Sequence, residues 1–158
     1  MLTRPQVAPL RFIAVRLGLP ELEFEARQPG VVAAFRVTIQ YHDARHPDQV
    51  ATATQMGGGV KLAAHYRRQS DKPLALSHTI PTERFHALMG PLKKLGFDQL
   101  DDANDLKWYG VDLWLVERAA SSFHHDIIIA PVTATGIYRK IVDLISEQLR
   151  EAVRAINP

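Results

Sequence analysis

The sequence predicts an α+β fold: a single antiparallel β-sheet, laid down as a meander, then a helix, a hairpin and a second helix, with both helices packed on one face. Three observations carry this. Between Glu21 and Ile80, apolar and polar residues alternate with period two and are punctuated by turn residues. At Pro81-Thr82 the period switches to that of an amphipathic helix, and a second such stripe occupies residues 135–156. The order lacks the alternating βαβ units that a doubly wound parallel sheet requires. A chain of 158 residues suits one domain spanning 1–158 with a sizeable core. Residues 1–9, with Pro5 and Pro9, are expected to form a loose N-terminal arm.

The first segment, LRFIAVRL, is assigned as a strand. Residues 21–27 alternate without a break, so a second strand is expected, with Leu22, Phe24 and Ala26 on one face and the glutamates on the other. Pro29-Gly30 marks a turn. In VVAAFRVTIQYH, Phe35, Val37, Ile39 and Tyr41 share one face, and Arg36, Thr38, Gln40 and His42 the other. Pairing Gln28 with Val31 would set Phe24 against Phe35 and Glu23 against Arg36, a self-consistent register. VATATQM, VKLAAHYR and LALSHTI continue the meander, separated by Gly57-Gly58-Gly59 and by QSDKP. In the first helix Phe85, Leu88, Met89, Leu92 and Leu95 line up, with Thr82 as N-cap, a kink at Pro91 and a stop at Gly96. An aspartate-rich loop, DQLDDAND, leads to a hairpin over residues 111–130. The last helix has the stripe Ile137, Ile141, Leu144, Ile145, Leu149, Ala152, Val153 and Ile156.

The hairpin carries the main chemical candidate. A tip at Ala119–Ser122 sets Glu117 opposite His124 and Leu115 opposite Asp126. Glu117, His124 and Asp126 then share a face with Leu113 and Ile128, while Trp114, Val116, Arg118, His125, Ile127 and Ile129 share the other. Both faces are apolar towards the base, unlike a sheet with one solvated side. A second cover is therefore expected, either the N-terminal segment or another subunit.

A carboxylate beside an imidazole tunes its basicity, so Glu117, His124 and Asp126 are candidate catalytic residues for a hydrolase-like activity. The nearby Ser121 and Ser122 sit at the tip without evident oxyanion donors. His124 and His125 are adjacent in a strand and point to opposite faces, which leaves one histidine and one carboxylate at most for any ion; no metal site is assigned. His42 and His46 fall in turn sequence. Gly57-Gly58-Gly59-Val60-Lys61 lacks both the phosphate-loop spacing and a following helix, so no cofactor is expected. The aspartate-rich loop lacks the EF-hand pattern and is expected to be solvated.

Composition narrows the classes further. Hydrophobic residues at 46% and charged residues at 23% describe an ordinary soluble protein. The absence of cysteine excludes a disulfide scaffold, a thiolate zinc site and a cysteine nucleophile. Arg11 and Arg16 bracket only four apolar residues, too few for an export signal or a membrane span, so a cytoplasmic protein with no membrane partner is expected. Residues 1–97 hold thirteen Lys or Arg against seven Asp or Glu, and residues 98–158 six against ten. Arg36, Lys61, His65 and Arg67 share the polar face of the meander, with Arg68 and Lys72 following, and are candidate nucleic-acid contacts; the aromatics that would stack bases lie on the opposite side.

The leading expectation is a small non-enzymatic interaction or accessory domain. It would bind a protein partner, or a second copy in a homodimer, through its sheet or C-terminal helix. The alternatives from other classes are the hydrolase-like enzyme and the nucleic-acid-binding module.

Overall fold

The computed structural model describes residues 4–67, 72–104, 106 and 110–153. Expectations that rest on Arg68, Asp105, Ile156 or the turn at 69–71 lie outside these residues.

The period-two segments form the sheet. The meander consists of β1 (Val31–Gln40), β2 (Gln49–Met56), β3 (Gly59–Tyr66) and β4 (Leu74–Ile80). The hairpin strands are β5 (Leu113–Ala120) and β6 (Phe123–Ile129). All pairs are antiparallel, in the order β4-β3-β2-β1-β5-β6. The hairpin thus docks against β1, the first strand made, and β1 becomes central.

Phe35, Val37 and Ile39 of β1 face the main core, as their alternation predicts. That core is closed by α3 (Thr82–Lys94) and α4 (Gly136–Gln148), which pack on one face of the sheet through Phe85, Leu88, Leu92, Ile141, Val142 and Ile145. Thr82 is the first helical residue of α3 rather than its cap, which is Pro81. Pro91 stays inside α3 and does not break it. It opens the last turn, where loss of one backbone donor forfeits a single rung. The final helix stops earlier than its stripe suggests. After Gln148 the chain tightens into a turn that still buries Leu149, Ala152 and Val153. Side chains satisfy the carbonyls freed there: Arg84 donates to the Gln148 carbonyl and Gln49 to that of Ala152.

The other face was the open question, and the N-terminal segment covers it. Residues 7–16 and 22–26 are helical, not extended. α1 (Val7–Arg16) buries Leu10, Ile13, Ala14 and Leu17 against Val50, Leu113, Leu115, Ile128 and Ala130. The spacing i, i+3, i+4, i+7 is that of one helix face. Pro9 lies in its first turn, where no backbone donor is needed, so residues 7–9 belong to a helix rather than to a loose arm. α2 (Leu22–Ala26) sets Leu22 and Ala26, four apart, on Ala34 and Ala119. The expected pairing of residues 21–28 with β1 is replaced by α2 lying across the sheet. The pattern is ambiguous because residues four apart share a face in both a helix and a strand. Glutamate, leucine and alanine favour the helix.

No helix among the described residues is long and apolar enough to cross a membrane.

Helix and strand differ in what they make of Phe24, which is 59% exposed while Leu22 is 1% exposed. Leu22→Ala should cost about 2–5 kcal/mol of unfolding free energy. Phe24→Ser should change it by about 0.5 kcal/mol or less. Urea unfolding of the two variants measures both. Equal losses would restore the strand.

Candidate functional site

The turn between β5 and β6 is tighter than predicted. Ser121 and Ser122 alone form it, with Ser121 at φ 54°, and Ala120 pairs with Phe123. Glu117 therefore lies opposite Asp126, and His124 opposite Ala119. The register moves by two positions, so each residue keeps its predicted face and the expected group still assembles, diagonally. His124 Nε2 lies 3.1 Å from Glu117 Oε1.

Two carboxylates directly opposite each other repel. Cations from the N-terminal segment answer one of them. Arg4 Nη1 is 2.7 Å from Asp126 Oδ1, and Arg11 ion-pairs the other oxygen of the same carboxylate. Arg4 also forks onto Asp102 at 2.8 and 2.9 Å. Burial pushes the Asp126 carboxyl up, but the hydrogen bonds from Arg11 and Arg4 outweigh it and hold the group below its ordinary 3.8. Asp126 is thereby held as an anion with both carboxylate oxygens on guanidinium groups.

Glu117 receives a different partner. α2 brings Glu23 over the hairpin, and Glu23 Oε1 lies 3.0 Å from His124 Nε2. One imidazole nitrogen thus faces two carboxylate oxygens. Burial pulls the His124 imidazole down, yet the hydrogen bond to Glu117 and the charges of Glu23, Glu117 and Asp126 leave it above its ordinary 6.5. The strand expected from sequence sets Glu23 on its polar face, opposite Arg36. Its signal is visible only once residues 22–26 are wound as a helix, with Leu22 and Ala26 facing down.

His125 takes the opposite face, as strand geometry requires. Its Nε2 is 2.8 Å from the Leu100 carbonyl and its ring stands edge-on to Phe97. Ser121 and Ser122 are exposed at the turn, and the groups in contact with the His124 imidazole are acidic. This arrangement can bind a proton or a cation. A serine is not delivered to the imidazole among the described residues.

The basic candidates do not form one surface. Arg36 is 1% exposed. Its Nε donates to Thr52 Oγ1 at 3.0 Å, its Nη1 to the Pro20 carbonyl at 2.8 Å, and its Nη2 lies 3.2 Å from Glu25 Oε1. Lys61 and Arg67 are exposed, and His65 is half-buried between them. Burial, with the charges of Arg36 and Lys61, lowers the His65 imidazole below its ordinary 6.5. In the other histidine group, His42 Nδ1 and the Arg45 guanidinium sit on Asp112 at 2.7 and 2.5 Å. The aspartate-rich loop is less solvated than expected: Asp98 pairs with Arg118 at 2.6 Å and Asp102 with Arg4.

The two sheet edges differ. The outer edge of β6 is blocked near its end: the Ile128 amide donates to Asp102 Oδ1 and its carbonyl accepts from the Ala103 amide. Among the described residues no strand pairs with the outer edge of β4. Six of its seven residues are exposed, among them Leu74 at 43% and Leu76 at 52%.

Comparison with known proteins finds no matching family model and no similar curated protein.

A histidine with a raised folded-state pKa stabilises the fold fully below its unfolded value, and that contribution is lost as pH rises through the folded value. With chelator present, wild type should exceed His124→Gln in stability below about pH 6.5. The gap should narrow as pH rises further. Urea midpoints across that range measure it, and a gap that widens would contradict the clamp.

Proposed function

We propose that this chain is a non-enzymatic interaction domain that self-associates by pairing β4 with β4 of a second copy. The open edge of β4 carries the reading. Exposed edge strands are usually blunted by charges, prolines or bulges. The segment LALSHTI has no Asp, Glu, Lys, Arg or Pro within it. Leu74, Leu76, His78 and Ile80 share one face, and small residues, Ala75, Ser77 and Thr79, the other.

The strand is self-complementary. Antiparallel pairing about Leu76 sets Leu76 against its own copy, Leu74 against His78, and Ala75 against Ser77, with no like charges opposed. The covered edge at β6 matters as much. With the β6 edge blocked at Ile128, pairing at β4 closes into a two-fold dimer instead of growing into a fibre. The expected product is one continuous twelve-stranded sheet.

The earlier reason for expecting a partner, an uncovered second face, is met by α1 and α2. The nucleic-acid alternative loses Arg36 to the interior. The hydrolase-like alternative keeps its Glu117–His124 contact, but Asp126 is committed to Arg4 and Arg11.

Light scattering across a concentration series tests the proposal. Wild type should approach twice the chain mass. Leu76→Lys sets two ammonium groups together at the axis and should weaken association by roughly tenfold or more. The site is exposed, so the fold should persist, as circular dichroism would report. A wild-type monomer throughout, or a dimer indifferent to Leu76→Lys, would overturn the reading.

A further inference from the structure

We infer that Glu23, Glu117 and His124 form a binding site for one divalent transition-metal ion on the face of the sheet covered by α1 and α2. The inference stands apart from β4 pairing, which takes place at the opposite edge.

Geometry is the first support. The three candidate ligand atoms lie within 4.8 Å of one another. The two nitrogen–oxygen separations are 3.0 and 3.1 Å. Ligands about 2.1 Å from a common ion, at angles of about 90–109°, lie about 3.0–3.4 Å apart. Sequence reasoning counted one histidine and one carboxylate here; α2 supplies the third ligand from a different element.

Charge is the second. Arg4 and Arg11 balance Asp102 and Asp126. Arg36, the cross-strand neighbour of Glu117, is paired with Glu25. The charge of Arg11 also acts on Glu23 and Glu117, but its guanidinium is bonded to Asp126. Among the described residues the two carboxylates share the His124 imidazole as their ion-pair partner. A proton on His124 offsets one of the two charges. A divalent ion offsets both.

Burial is the third. The Glu117 side chain is 8% exposed, and among the described residues its hydrogen-bonding partner is His124. A nine-tenths buried carboxylate with one neutral or singly charged partner is a costly group to hold in place. The Nε2 atom can direct one N–H at only one of its two carboxylates at a time, whereas an ion accepts both together.

The ligand set also selects the ion. One imidazole and two carboxylates, with no thiolate, suit Zn2+, Co2+, Mn2+ or Fe2+ better than Cu+. Three protein ligands leave coordination positions open to water.

The test uses the full chain, stripped with chelator and dialysed free of it. Calorimetry with Zn2+ and visible absorption with Co2+ should each report one equivalent bound. Glu23→Gln and Glu117→Gln should each weaken binding by roughly tenfold or more. His42→Gln, in the other carboxylate–histidine group, should leave it unchanged.

Glu117 is buried, so its variant risks misfolding. A second measurement needs no substitution. Substoichiometric Mn2+ should broaden the imidazole resonances of His124 well before those of His42. Absence of saturable binding would reduce the cluster to a protonated clamp and overturn the inference. Binding that survives Glu23→Gln, or that broadens His42 first, would overturn it equally by placing the ion elsewhere.

Discussion

The guanidinium of Arg36 is the contact on which the functional face depends. It stands on the central strand and is almost fully buried, where an unpaired cation would be intolerable. Its Nε donates to Thr52 of β2 and its Nη1 to the Pro20 carbonyl just before α2, while Nη2 lies at ion-pair distance from Glu25 within α2 without a hydrogen bond. The last two contacts bracket a helix of five residues, too short to persist alone. Leu22 and Ala26 supply the apolar contact with the sheet, and Arg36 fixes the orientation. That orientation carries Glu23 to His124. Removing the guanidinium would leave Thr52 and the Pro20 carbonyl without this donor and Glu25 without its cation. One of the four candidate nucleic-acid contacts is thus a bolt between helix and sheet.

Much of the architecture was legible because its periods are unambiguous. Phe35, Val37 and Ile39 repeat every second residue and face the core; Phe85, Leu88 and Leu92 repeat at helical spacing and do so too. The hairpin was legible to its faces but not to its register, since a two-residue shift leaves each side chain on the same side. Its two apolar faces correctly announced a second cover. The strands expected within residues 7–27 are helices because LRFIAVRL and the alternating run at 21–27 are short enough to serve either structure. The choice between them is made by contacts with Ala34, Leu115 and Ile128, which a local pattern cannot contain.

The same limit explains the candidate site. Glu117, His124 and Asp126 were found because one strand pair brings them together. Glu23, Arg11 and Arg4 were not, because three separate segments deliver them. These late arrivals decide the chemistry. Two arginines take Asp126 out of any relay with His124, and one glutamate turns a cross-strand pair into a three-ligand cluster. A histidine–carboxylate pair read from a strand is a fragment of a site, and its meaning depends on what lies over it.

The docking of α1 and α2 has a consequence for vectorial synthesis. These helices precede the sheet in the chain, yet part of the surface they cover is supplied by Leu113, Leu115, Ala119 and Ile128, which are made after the whole meander. Ala34 of β1 and Val50 of β2 offer another part of that seat, which is complete only once the hairpin has paired beside β1. Glu23 can meet Glu117 and His124 only after that pairing, so the cluster exists only when α2 and the hairpin lie on one sheet.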